Sequence, residues 1–528
     1  MRSLHHPGRS PVYARKAMCA TSHPLASQTA LAVLKDGGNA VDAAIAATAV
    51  LCVVEHPMTG IGGDCFAIVS QPGKKPFALN ASGRAPAALT AEVLLERGIT
   101  TIETQSPHAV TVPGAVDGWA TLLADHGTRG LKELLQPAIG YASEGFAVAP
   151  RVAFDWAGAA SKLANNANAA KHFLVDGKAP AVGDVMRFPH LARSLTAIAE
   201  GGRDAYYEGD IAADIVKELN ELGGLHTVQD FSAQRSKYVE PISVNYRGLD
   251  ILELPPNNHG VVVLIMLKMM DRVGKISDDP NSADRHHVML EIARLAYAMR
   301  DKFVADPDMA EVPVDHMLDD AVIEHLVGRI DRARARPEIG TLPEPKGSDT
   351  VYLSIVDESG MAVSFINSLF ADFGAGIATD QTGIMLHNRG QGFVINPGHP
   401  NCVAPGKRPL HTLIPALAMQ DGDLAMSFGV MGGAYQPAGH AHVLANLLDY
   451  GMDAQEALDA QRVFFDGDTV LVEQTATDAF RAELAAKGHI VDQRTAPWGG
   501  GQIVQVDRVQ GTLIGASDPR KDGCALGY

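Results

Sequence analysis

Thr350 is the residue whose chemistry would change most if one peptide bond were cut. A threonine hydroxyl is a poor nucleophile at neutral pH and needs a base beside it. Scission of the Asp349–Thr350 bond would give Thr350 a free α-amine, with a reference pKa of about 7.7–8.0, within reach of its own hydroxyl. That amine could take the hydroxyl proton directly or through a water. By itself a threonine that opens a strand is an ordinary structural residue, and spacing alone leaves that reading open. The second chemical feature is Gly432-Gly433, placed between a strand that ends at Val430 and a helix. Paired glycines there can aim backbone N–H groups at one point, as an oxyanion requires. A plain strand-to-helix turn is the alternative.

The elements that must position these residues change character along the chain. Ser27 can cap a helix through TALAVLKDGG, and Asn39 a second one, AVDAAIAATAVLCVVE, apolar nearly all round and so expected between layers. A strand, CFAIVSQ, follows the glycines of TGIGGD. Residues 111–200 read as helical, 201–245 as helical with short connectors, DILEL as a strand, and 260–340 as helical again. TLPEPKGSD is a polar Pro/Gly segment without periodicity, expected as an exposed loop. After it the pattern is β. Thr350–Val356 and MAVSFINSLF form one hairpin, IPALAMQ and LAMSFGV a second across Asp421-Gly422, and QIVQVD with GTLIGAS a third. Helices near 438–449 and 477–487 pack on this sheet. A helix-rich part, 1–349, thus precedes a strand-rich part, 350–528, which predicts an α+β layered fold with helices outside stacked sheets.

Bulk properties narrow the function classes. The formal charge of −17, with no basic cluster against it, argues against nucleic acid and anionic membrane as partners. No apolar run is long enough for a secretory core or a bilayer span, so the cytoplasm is the simplest expected location. The five cysteines are far apart and include no C-x-x-C pair, so free thiols are expected.

The spread of motifs is more specific. Thr350-Val-Tyr-Leu-Ser-Ile-Val-Asp357, Gly360-Met-Ala-Val-Ser, Phe373-Gly-Ala-Gly376, Gly383-Ile-Met-Leu-His-Asn388, Pro405-Gly-Lys-Arg-Pro-Leu410, Gly432-Gly433 and Gly515-Ala-Ser-Asp-Pro-Arg520 resemble the small-subunit pattern of gamma-glutamyltransferases. His23-Pro-Leu-Ala-Ser27, Gly37-Gly-Asn-Ala-Val-Asp-Ala-Ala44, Gly60-Ile-Gly-Gly-Asp64, Arg84-Ala-Pro86 and Val112-Pro-Gly114 resemble the large-subunit pattern, in order. The resemblance implies an N-terminal-nucleophile hydrolase with a four-layer αββα sandwich. It implies self-cleavage between Asp349 and Thr350 into a large piece, 1–349, and a small piece, 350–528, which associate and could pair again as a dimer. Thr350 would attack a small-molecule amide to give an acyl-enzyme that water or an amine resolves, with no cofactor. Gly432 and Gly433 would form the oxyanion hole, Ser368 would hydrogen-bond the nucleophile, and Arg84 would bind the substrate carboxylate.

The departures from that pattern bear on the substrate. The family clamps the glutamyl α-ammonium with an asparagine and an aspartate; Phe370 and Gly392 stand there. Arg389 replaces a glutamine of the clamp, and His411-Thr412 replaces the Ser-Ser pair that helps hold the α-carboxylate. A buried ammonium without an anionic or carbonyl partner costs several kcal/mol. The resemblance implies gamma-glutamyl or related dicarboxylate amides, glutathione among them. The departures raise the alternative of an amidohydrolase for acyl groups without an α-amine, of the glutaryl or cephalosporin acylase or oxamate amidohydrolase type. Three rival classes are weaker. His440-Ala-His442 and His286-His287 suggest a metal amidohydrolase, but i and i+2 do not share a helix face and no carboxylate motif accompanies them, so no metal is expected. GIGGD lacks the spacing of a nucleotide-binding loop. A non-catalytic relative would have lost Thr350 or its glycines.

Overall fold

The computed structural model describes residues 8–336 and 350–528, so Asp349 and the expected loop before it lie outside the described residues. Two seven-stranded antiparallel sheets face each other. One runs in the order Val12–Ala14, Thr512–Ser517, Gly501–Asp507, Asp423–Val430, Ala416–Gln420, Leu249–Glu253, Ile242–Tyr246. The other runs Cys524–Gly527, Met18–Thr21, Val351–Val356, Ala362–Ser368, Asp64–Ser70, Phe77–Ala81, Lys237–Val239. Each sheet therefore mixes strands from both sides of residue 350.

The alternation of side chains along the strands builds the layers. On Val351–Val356, the side chains of Val351, Leu353 and Ile355 face the helix Ala40–Val54, while Tyr352 and Val356 join Phe66, Ile68, Ile366, Leu417 and Val504 between the sheets. On Asp423–Val430, Met426, Phe428 and Val430 face the opposite helical layer, made by Gly260–Val273, Ala283–Phe303 and Gln436–Leu448. The order is helix, sheet, sheet, helix, as the resemblance implies. A one-residue slip of Val351–Val356 would exchange its two faces, turning Tyr352 towards the helical layer and Val351, Leu353 and Ile355 into the space between the sheets. The helix Ala40–Val54 is buried at all fifteen positions. Asn39 starts it with a capping box completed by Asp42.

The three expected hairpins form, with Val351 opposite Asn367, Ala416 opposite Phe428 and Gln502 opposite Ser517. The segment 201–245 differs from expectation. After helices Asp210–Glu221 and Val228–Ser232 it contributes Lys237–Val239 and Ile242–Tyr246, one edge strand to each sheet. Half-exposed edge strands this short alternate over too few residues to stand out from connectors. The strands Val463–Asp466, Thr469–Val472 and Ile490–Gln493 form a separate small sheet. Among the described residues no helix is long and apolar enough to cross a membrane.

Candidate functional site

Three polar residues line up across one end of the second sheet. Val351 pairs with Asn367, so Thr350 falls opposite Ser368, and Ser368 pairs with Asp64 on the next strand. All three are buried. By parity with Tyr352, Ile366 and Phe66, their side chains point between the sheets. Thr350 Oγ1 donates to Ser368 Oγ at 3.2 Å. Ser368 Oγ also accepts from Phe370 N–H at 2.7 Å and from Arg389 Nη2 at 2.8 Å. With its lone pairs engaged, the Ser368 hydroxyl proton can turn to Thr350 once Thr350 loses its own. The turn before Asp64 must be glycine: a Cβ on Gly63 would stand 2.3 Å from the Ser368 carbonyl oxygen.

Arg389 begins a short turn, Arg389–Gly392, and its guanidinium is fully buried. It donates to the hydroxyls of Ser368 and Thr412, each at 2.8 Å, and stacks 4.4 Å from the Phe370 ring centre. Its Nε has no hydrogen-bond partner among the described residues. Burial pushes its pKa down to about 9, against the charge of Asp64, so it remains a cation at neutral pH. Asp64 is the compensating anion at longer range. Burial alone would raise its carboxyl; His387 and His411 more than offset this and hold it far below the usual range. Its oxygens accept from Gly83 N–H at 3.1 Å, Gly114 N–H at 2.9 Å and His411 Nε2 at 3.1 Å. His411 Nδ1 accepts from Leu413 N–H, so the ring proton sits on Nε2 and the ring is neutral. Burial, then Arg389, lowers its pKa to about 3.

The Gly432-Gly433 turn arrives from the facing sheet. Ser354 Oγ donates to the Ser427 carbonyl at 3.1 Å, and a Cβ on Gly429 would meet the Tyr352 ring at 2.6 Å. That stagger sets the end of the strand at Val430, and the turn after it, at the same end of the paired sheets as Thr350. Gly432 has φ 122° and Gly433 φ 55°, and a short turn, Gly433–Tyr435, leads into the helix Gln436–Leu448. Among the described residues nothing accepts a hydrogen bond from either N–H. The loop beside them is fixed: Met431 N–H donates to Gly500 at 2.9 Å, and Trp498 stacks on Tyr435. Asp518 accepts from Gly501 N–H at 2.9 Å and pairs with Arg462. His440 and His442 turn to different neighbours. His440 accepts from Val430 N–H at 3.1 Å and meets Glu253 at 2.7 Å, whereas His442 lies by His286.

Thr350, Ser368, Arg389 and Thr412 therefore touch in series, His411 joins them through Asp64, the strand neighbour of Ser368, and the Gly432-Gly433 turn lies at the same end of the facing sheet. Arg84 does not contact this cluster. It pairs with Asp306 at 3.6 Å and Asp308 at 3.2 Å, and donates to the Gly406 carbonyl. A cavity of about 530 Å³ opens beside Phe370 and Thr412, with Gly392, Phe393 and Leu410 in its wall. The sequence assigns no role to Asp64 or His387, although both lie in motifs that carry the family resemblance, Gly60-Ile-Gly-Gly-Asp64 and Gly383-Ile-Met-Leu-His-Asn388.

Comparisons with known proteins point to one family. Residues 26–528 match the family model described as gamma-glutamyltranspeptidase. The chain is 35% identical to the glutathione hydrolase-like YwrD proenzyme of Bacillus subtilis, covering 98% of this chain and 99% of that one. It is also 35% identical to the oxamate amidohydrolase proenzyme of Klebsiella pneumoniae, over 97% of this chain and 98% of the other. The crystal structure of cephalosporin acylase from Bacillus halodurans superposes with a TM-score of 0.92 at 37% identity, covering 100% of this chain and 99% of that chain. With the four-layer fold and a match over nearly its whole length, the chain belongs to the gamma-glutamyltranspeptidase family of hydrolases and acyl-transfer enzymes.

Proposed function

We propose that the chain is cut between Asp349 and Thr350 and that Thr350 then hydrolyses or transfers acyl groups that carry an acid but no α-ammonium. Two of the relatives are named as proenzymes, which supports the processing step. In the proposed reaction the freed amine takes the proton of Thr350 Oγ1, and the oxygen attacks the amide carbon. The Ser368 hydroxyl turns its proton to the threonine oxygen. The N–H groups of Gly432 and Gly433 receive the charge on the carbonyl oxygen. The C–N bond breaks, and the amine leaves with the proton that the α-amine had taken. Water, or an amine acceptor, then releases the acyl group from Thr350. The 1–349 and 350–528 pieces stay together throughout.

The observation that carries the substrate reading is Arg389. A buried guanidinium whose hydrogen-bond partners are two neutral hydroxyls leaves a site where an anion gains and an ammonium is repelled. Arg84 already has two aspartates, so the acid group is assigned to Arg389. Glutaryl-, succinyl- and oxalyl-type amides fit this description. The test compares kcat/KM on a glutaryl anilide and the matching gamma-glutamyl anilide. A preference of at least tenfold for the glutaryl compound is expected; a preference for the gamma-glutamyl compound contradicts the assignment.

A further inference from the structure

We propose that His287, Glu291 and His489 form a zinc-binding site that ties the 1–349 part of the chain to the 350–528 part. His287 and Glu291 lie one turn apart on one face of the helix Ala283–Phe303. His489 comes from the turn between the helix Asp478–Ala486 and the strand Ile490–Gln493. All three are buried, and one ligand atom from each lies within 4.8 Å of the others.

His287 Nδ1 and His489 Nε2 are 2.9 Å apart. Two nitrogens at about 2.0–2.1 Å from one tetrahedral zinc stand ~3.3–3.4 Å apart, so a few tenths of an ångström of side-chain movement admits the ion. The outer side of His287 is already set. Its Nε2 faces the Asp331 carbonyl oxygen at 2.8 Å. A carbonyl only accepts, so Nε2 carries the proton and Nδ1 turns its lone pair inward. Metal-bound histidines are backed in this way, which fixes both tautomer and ring plane. Two imidazoles and a carboxylate suit zinc and leave one tetrahedral position for water. Around the cluster, Lys487 pairs with Asp284 at 2.6 Å, Arg294 donates to the carbonyls of Gly467 and Asp468 and lies within electrostatic reach of Glu291, and Glu291 Oε1 accepts from Arg336 N–H at 3.4 Å.

The ligands come from both sides of residue 350. The ion would hold the two parts together whether or not the chain is cut, and its presence does not depend on the acyl group preferred at Thr350. The whole protein, stripped with a chelator and desalted, is titrated with zinc, and the retained metal is counted by elemental mass spectrometry. We expect one zinc per chain, bound at least tenfold more tightly than by His489→Ala or Glu291→Gln. Zinc should raise the unfolding temperature of the wild type and leave both variants unchanged. Glu291→Gln keeps the side chain's shape, so it reports even if the histidine variant fails to fold. Wild-type protein that retains no more zinc than the variants, with an unfolding temperature insensitive to zinc, overturns the site and leaves a hydrogen bond between two histidines.

Discussion

The Thr350 amine sets the pH dependence. It acts as a base only when deprotonated, so kcat/KM should rise through its pKa, about 7.7–8.0 before any influence of the neighbouring guanidinium. Burial lowers the Arg389 pKa but leaves the side chain a cation throughout this range, so on a glutaryl amide the profile should rise to a plateau. Arg389→Gln should keep that profile and raise KM for the glutaryl amide ~10–150-fold, the equivalent of about 1.5–3 kcal/mol for charge-assisted hydrogen bonds. A KM for the glutaryl amide that is unchanged in the variant would place the acid group elsewhere. Residue chemistry alone offers Thr350 and the two glycines only as candidates beside plain structural readings; the resemblance is what singles them out, together with Ser368 and Arg389. The anion that balances Arg389 was not legible. Asp64 lies 325 positions away in sequence, and pairing of its strand with Ala362–Ser368 sets it beside Ser368.

Strands and turns place the site by close approach of backbones, and Gly63 is where that approach is tightest. Gly63→Ala would drive a methyl group into the Ser368 carbonyl. A small-to-large change of this kind costs about 1–3 kcal/mol. Because it displaces the residue that holds Thr350, activity should fall more than the lost stability accounts for. Thermal unfolding measured beside kcat on the same preparation checks this; a variant with wild-type stability and rate would show that the turn is not needed to set Ser368. The hairpins around Asp421-Gly422 and Asp357–Gly360 could be read in sequence, since alternation and turn residues agree there. The helix Ala40–Val54 was readable for a different reason, its lack of any polar face. The edge strands between 237 and 246 were missed because three to five half-exposed residues carry little period-two signal. Which strand neighbours which, and so which ends converge, depends on pairings between distant segments that no local pattern encodes.

The two sheets are shared between the parts of the chain before and after residue 350. The strand Val351–Val356 lies between Met18–Thr21 and Ala362–Ser368, and Asp423–Val430 shares its sheet with Val12–Ala14 and Leu249–Glu253. Cutting before Thr350 therefore removes no strand from either sheet. The two pieces should co-elute as one species in size-exclusion chromatography under native conditions and separate only in denaturant. Pieces that part in native buffer would contradict the shared-sheet arrangement.

Catalysis by Thr350 requires that its α-amine be freed by chain scission. Purified wild-type protein and Thr350→Ala are compared by intact mass and by hydrolysis of a glutaryl anilide. The prediction is two fragments in the wild type, the smaller beginning at Thr350, with turnover, and one uncut, inactive chain in the variant. Turnover by uncut wild-type chain, or wild-type activity in Thr350→Ala, would contradict it.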